Sequence, residues 1–364
     1  MGNKMKVGII GAGGMAEYHV EGFRKAGAEV ALIIDADLDR ASAFSRRHAI
    51  THACTTLDEG LKLCADVAAV SIATPNRFHM PLAVEALNHS LHVYCEKPPA
   101  LNAGEMAKMA VAARSSEKRL MFDFNNRART ESQAIMKYIR GGEAGRINSA
   151  QAVWVRRAGI PGFGGWFTRK DMSGGGPVID LIHMLDLALY LMEYPQPAYI
   201  MASTFDDFMG NPAFKGPWGF ADVKDGRMDV ESACHAFITF SSGQCLSVRT
   251  AWAEMVEREV ASVTFQGQKA GAKIERVFDQ DGIDATSHDS CMLFTEENGL
   301  QVNRSIVVPR EESMGRVANA INFIRAIEGK AEALNTPDQA LLLMKIVDCM
   351  YESARTGKPV AFES

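Results

Sequence analysis

Asp180 and His183 stand three residues apart, just behind the run Gly174-Gly175-Gly176. A carboxylate beside an imidazole orients a general base and stabilises its charged form, so this pair predicts proton transfer. Pro177 suits the first helical position, where its missing N–H costs nothing. Asp180 then falls in the first turn, which favours negative charge, and residues three apart neighbour one another on a helix face. Leu181, Ile182, Met184, Leu185, Leu187, Leu189, Leu191 and Met192 leave only Asp180, His183 and Asp186 polar, which predicts a buried helix. Charge on such a helix needs a partner or a polar opening. A core histidine with a locally paired aspartate would look similar. The glycine run and a second polar group upstream favour the catalytic reading.

That second group needs a nucleotide-binding scaffold. Lys6–Ile10 reads as a buried strand running into Gly11-Ala12-Gly13-Gly14-Met15-Ala16, the G-x-G-x-x-A form. The first glycine makes the turn, the second lets a pyrophosphate approach, and small Ala16 permits close helix packing. Gly11, Gly13, Gly14 and Met15 thus start a helix whose N–H groups would face phosphate. A second strand, Glu29–Ile34, ends at Asp35, the spacing expected of a ribose-binding acid. Asp35 would bond a 2′-hydroxyl and repel a 2′-phosphate, favouring NAD. Arg40, Arg46 and Arg47 keep NADP open. Further along, Thr74, Asn76 and His79 lie on a loop behind a strand near 67–73, and Glu96 and Lys97 follow a strand at His92–Cys95. In a parallel sheet both loops fall at the strand ends that bind ligand.

The rest of the chain sets the frame. With 364 residues it should form two domains. We expect a doubly wound parallel Rossmann sheet over residues 1–124. An α/β domain with a large open, mostly antiparallel sheet should occupy 125–364, with strands near 148–157, 198–205, 232–240, 245–252, 258–266, 273–278 and 299–308. Late helices are expected over 311–328 and 337–356. An apolar sheet face of that size predicts a homo-oligomer, dimer or tetramer. Between the sheet and Asp180, a Gly-rich loop carries Trp166 near Arg156 and Arg157. It suits a cover over a hydroxylated substrate, or equally a connection anchored by its indole. The stretch 205–229 reads as a long surface loop. A net charge of -5 without basic runs argues against nucleic acid. The apolar segments are too short for a membrane span or signal peptide. Seven scattered cysteines predict reduced thiols, no metal site and a cytoplasmic protein.

Taken together, Gly11-x-Gly13-x-x-Ala16, Ala73-Thr74-Pro75-Asn76-x-x-His79, Glu96-Lys97-Pro98 and the glycine run with Asp180 and His183 occur in family order. The chain resembles the glucose–fructose oxidoreductase/inositol dehydrogenase/rhizopine-catabolism (Gfo/Idh/MocA) family along its whole length. The resemblance implies NAD(P)-dependent hydride transfer at a carbinol carbon of a sugar, polyol or related molecule. It implies Lys97, Asp180 and His183 as the catalytic set, where the family usually has three residues between that Asp and His and this chain has two. His183 would take the hydroxyl proton while Lys97 stabilises the alkoxide. Lys97 could instead take it, since desolvation lowers a lysine's pKa. Asn125, Arg156 and Trp166 are further candidate substrate neighbours. An NAD-dependent glycosidase of the same family and a non-catalytic NAD-binding sensor are the alternatives.

Overall fold

The computed structural model describes residues 4–278, 286–310 and 313–363. The chain divides into two compact units, Met1–Ala128 with Glu311–Met344 and Arg129–Arg310 with Lys345–Ser364.

In the first unit, six strands lie parallel in the order β3-β2-β1-β4-β5-β6. They are β1 Lys6–Ile10, β2 Glu29–Ile34, β3 His52–Cys54, β4 Val67–Ile72, β5 His92–Cys95 and β6 Leu120–Phe122. Their nearly continuous apolar runs are what a sheet covered on both faces requires. The three-residue β3 is too short to show a pattern in sequence. The helix Gly14–Lys25 buries Ala16, His19, Val20 and Phe23 as one stripe. The helix Arg316–Ile327 packs against it, with Phe323 joining Phe23 and Tyr94 in one core. Sequence alone begins that helix at position 311 and groups it with the second domain. Met314 and Gly315 instead adopt left-handed backbone, with φ of 54° and 83°, so the helix starts at Arg316. Positions 311 and 312 lie outside the described residues.

The second unit holds a mixed, mostly antiparallel sheet of nine strands among the described residues. These are β7 Ile147–Val155, β8 Pro197–Phe205, β9 Ala233–Phe240, β10 Cys245–Ala251, β11 Val260–Gly267, β12 Ala270–Phe278, β13 Thr286–Glu297, β14 Leu300–Ser305 and β15 Val360–Ala361. Their order is β14-β13-β12-β11-β7-β10-β9-β8-β15, and the β7–β10 pair is parallel. Sequence reading misses β13, whose first five residues are polar, and the helix Thr130–Arg140. One sheet face packs on the helix Ile182–Leu191. The other leaves Tyr199, Met201, Phe205 and Phe237 exposed.

The helix expected from Pro177 onward is broken. Leu181 leaves helical geometry at φ -93° and ψ 22°, separating Pro177–Asp180 from Ile182–Leu191. The stretches Lys170–Asp180 and Ile182–Leu191 meet at 53°. Asp180 and His183 therefore sit on two helices rather than on one shared face. Among the described residues no single helix is long and apolar enough to cross a membrane.

Candidate active site

At the end of β1, Gly11 has φ +101°, and a Cβ there would lie 2.4 Å from the Ala73 carbonyl oxygen. Only glycine fits both demands. Beyond it the loop opens: a Cβ on Gly13 or Gly14 would meet nothing within 4 Å. Gly13 caps the following helix without a side-chain hydrogen bond, so the first-turn N–H groups keep the dipole's positive end available to an anion. Met15 is half-buried and Ala16 fully buried. Asp35 Oδ2 accepts from the Ala12 N–H at 2.9 Å and Oδ1 from the Asp37 N–H at 3.0 Å. A carboxylate retains lone pairs for ribose hydroxyls after those two bonds. The exposed Arg40 guanidinium lies 3.8 Å from Asp35. Thr74 Oγ1, past the end of β4, is buried without a hydrogen-bond partner. An open glycine cradle, an uncapped helix start and an orphaned hydroxyl all fit a dinucleotide.

The next loops are tied together. His79 is fully buried, with Nδ1 2.7 Å from the Pro98 carbonyl and Nε2 2.9 Å from the Thr74 carbonyl. Burial pushes this imidazole below its ordinary pKa, against the pull of the two carbonyls. Its ring thus sits between two backbone carbonyls, to one of which a neutral imidazole donates, while Asn76 is buried on the turn Asn76–Phe78. Glu96 Oε2 accepts from the Lys97 N–H at 3.2 Å, and Oε1 lies 3.0 Å from His19 Nε2. Because a carboxylate only accepts, that nitrogen carries the hydrogen; Nδ1 meets Ser71 Oγ at 3.0 Å. Burial raises the pKa of Glu96, but the hydrogen bond and charge of His19 hold it below the usual carboxylate value. Asp123, which accepts from Tyr94 Oη at 2.7 Å, is pushed up to about 7 by burial and by the Glu96 carboxylate. Lys97 itself is half-buried. Asn125 belongs to this unit and donates to the Met314 carbonyl at 2.7 Å.

In the second unit the glycine run exists because its neighbours come close. A Cβ on Gly176 would lie 2.1 Å from the Glu231 carbonyl oxygen, and one on Gly175 only 1.8 Å from Tyr351 Oη. Glu231 Oε1 accepts from the N–H groups of Gly176 at 3.0 Å and Val178 at 3.2 Å, and from Tyr351 Oη at 2.9 Å. This distant carboxylate caps the turn that presents Asp180. Burial pushes its pKa up, against those hydrogen bonds. Asp180 Oδ2 accepts from Trp252 Nε1 at 2.8 Å and lies 3.8 Å from Arg156 Nη1. Arg156 donates through Nε to Glu259 Oε1 at 3.0 Å, which also accepts from Trp154 Nε1 at 2.8 Å. The His183 ring lies 5.9 Å from the Trp154 ring. Asp180, His183 and Arg156 thus meet around Trp154 and Trp252. Trp166 stands one ring farther out, stacked at 3.9 Å on Phe167, which in turn reaches Trp252 at 6.4 Å and Trp218 at 5.8 Å. Asp186, the third polar residue of the apolar helix, accepts from Tyr194 Oη at 3.2 Å.

The family model described as "oxidoreductase family, NAD-binding Rossmann fold" matches residues 5–124, and "oxidoreductase family, C-terminal alpha/beta domain" matches 136–362. The chain belongs to the Gfo/Idh/MocA oxidoreductase family. D-glucoside 3-dehydrogenase of Escherichia coli is 30% identical to this oxidoreductase over 363 residues, 98% of this chain and 97% of the relative. Inositol 2-dehydrogenase of Corynebacterium glutamicum is 31% identical over 150 residues, 40% of this chain and 44% of the relative. Levoglucosan dehydrogenase solved with NADH has the same fold, with a TM-score of 0.83 at 20% identity and 100% of both chains covered. The cofactor of this oxidoreductase is NAD.

Several residues that shape the oxidoreductase's site carry little sequence signal. Glu231, Trp252 and Glu259 act on Asp180 and Arg156 from distant positions just outside the ends of β9, β10 and β11. His19 does show one: it is a polar residue on the apolar stripe of its helix, between Ala16 and Phe23.

Proposed function

We propose that this oxidoreductase oxidises a secondary hydroxyl of an uncharged sugar or polyol. The observation that carries the reading is the buried group of Asp180, bonded to Trp252 and facing Arg156, and His183 against Trp154, on a chain similar throughout to a glucoside dehydrogenase. NAD, when bound, accepts the hydride. Gly11, Gly13, Gly14 and Met15 would receive its diphosphate, Asp35 its ribose hydroxyls, and Thr74, Asn76 and His79 would shape the loop beyond. His183 takes the hydroxyl proton, Asp180 fixes the imidazole's orientation, and Lys97 stabilises the developing alkoxide. Asn125 and Trp166 act indirectly, through Met314 and Phe167.

The test is nicotinamide absorbance with a panel of glycosides, inositols and aldoses. Formation of NADH with one neutral class supports the reading. Release of an aglycone without net NADH would mark a glycosidase instead, and NADH binding without turnover would mark a sensor. Cofactor choice has its own test. Changing Asp35 to Ser removes charged hydrogen bonds, so the KM for NAD should rise roughly ten- to a hundredfold while turnover with NADP appears. An unchanged ratio of kcat/KM for NAD and NADP would take Asp35 out of the selection.

The protein is further proposed to be a cytoplasmic homo-oligomer, dimer or tetramer. The exposed apolar face at Tyr199, Met201, Phe205 and Phe237 supports association, and seven free cysteines support a reducing compartment.

A further inference from the structure

Arg156 is 5% exposed, yet its Nη1 donates to no acceptor. The guanidinium lies 5.1 Å from the Trp154 ring and 4.8 Å from the Trp218 ring. Trp218 Nε1 is likewise buried without a partner. Two idle donors in one contact are costly, and such groups in folded proteins usually have an acceptor. Their positions are fixed. Glu259 holds the other side of Arg156, and the Trp218 segment is hydrogen-bonded along residues 160–163: Ile160 N–H to the Phe214 carbonyl, Gly216 N–H to the Ile160 carbonyl, Phe220 N–H to the Pro161 carbonyl. The stretch expected to be a plain surface loop thus covers the guanidinium.

We propose that Arg156 Nη1 and Trp218 Nε1 form a recognition site for an uncharged hydroxyl of the substrate, and that this site excludes sugar acids. The charge balance gives the sign. Arg156 already faces two buried carboxylates, Glu259 at 3.0 Å and Asp180 at 3.8 Å. Arg276 stands on the other side of this group, 5.2 Å from the Trp154 ring. A substrate carboxylate or phosphate bound at Arg156 Nη1 would be a third negative group around a guanidinium that two carboxylates already face, and like charges close together in a buried site repel strongly. A hydroxyl has no such penalty: it accepts from Nη1 and donates toward Asp180. The substrate therefore needs a second free hydroxyl besides the one oxidised. This inference rests on reading the Asp180 group as the substrate side of the oxidoreductase.

The test titrates intact protein with methyl β-D-glucopyranoside and with the corresponding methyl glucuronide, following tryptophan fluorescence, and assays both sugars for turnover with NAD. Wild type should bind the neutral glycoside at least tenfold more tightly than the uronate. Trp218→Phe, which removes one idle N–H and keeps a ring, should weaken neutral binding several-fold. Arg156→Gln should weaken it roughly tenfold to a hundredfold, and Arg156→Lys should not restore it. An unchanged near-ultraviolet circular dichroism spectrum and a single cooperative thermal transition verify that the second unit, which holds both residues, is folded in each variant. Equal binding of the glycoside by wild type and both Trp218→Phe and Arg156→Gln overturns the inference, as does preference for the uronate or binding of neither sugar. Binding without oxidation would leave the recognition site standing and count against the dehydrogenase reading. Oxidation with unaltered variants would do the reverse.

Discussion

Replacing Lys97 with Met is expected to lower kcat about 10²–10⁴-fold while leaving NAD affinity nearly unchanged. Methionine keeps most of the length of lysine and removes the ammonium group, with its charge and its donors. The loop that carries it is pinned independently of the ammonium group: the Lys97 N–H donates to Glu96, Glu96 is held by His19, and His79 bridges the Pro98 and Thr74 carbonyls. The variant should therefore fold and bind cofactor as wild type does. On the proposed mechanism the variant lacks a fixed positive charge for the developing alkoxide, and such a charge acts on the transition state more than on the bound substrate. The loss should appear in kcat and kcat/KM alike, with KM little moved. Cofactor titration alongside steady-state kinetics decides it. A kcat within tenfold of wild type would remove Lys97 from the chemistry.

The nucleotide-binding half was legible in the sequence because its logic is local. A strand, a glycine turn, a small residue at Ala16 and an acid at the end of β2 follow one another within thirty residues, and each has a single geometric reason. The second unit was legible only in outline. Gly174-Gly175-Gly176 announced a special turn, but its cause lies in Glu231 and Tyr351, which crowd it from elsewhere in the chain. Apolar periodicity around Leu181 reads as one uninterrupted helix. Tertiary contacts overrule it: Glu231 caps the turn before Asp180 and Trp252 anchors the Asp180 carboxylate. Arg156 stood out as a charge at the end of a strand, whereas Glu259, its main partner, lies among exposed charges at Glu257 and Arg258 and carries no mark of burial. Non-local pairs of this kind are invisible to spacing.

Replacing His183 with Gln should cost a further loss of about 10²–10⁴-fold in kcat, and its pH dependence should tell the two proton acceptors apart. His183 is buried in the first turn of its helix, against Trp154, where water competes poorly for a substrate proton. Without a general base, deprotonation must rely on hydroxide, so kcat of His183→Gln should climb with pH where wild type levels off. Lys97→Met should keep the wild-type pH profile at a lower height, because an electrostatic role leaves the base in place. Asp180→Asn should resemble His183→Gln in kcat yet retain a wild-type KM for NAD, since Asp180 bonds Trp252 and faces Arg156 within its own unit. The Leu181 break sharpens the comparison. Asp180 and His183 stand on separate helices, so on the proposed mechanism Asp180→Glu, which moves the carboxylate by one methylene, should not recover the lost rate. If the climbing profile belongs to Lys97→Met and the flat one to His183→Gln, the roles are exchanged: Lys97 removes the proton, and His183 holds the hydroxyl.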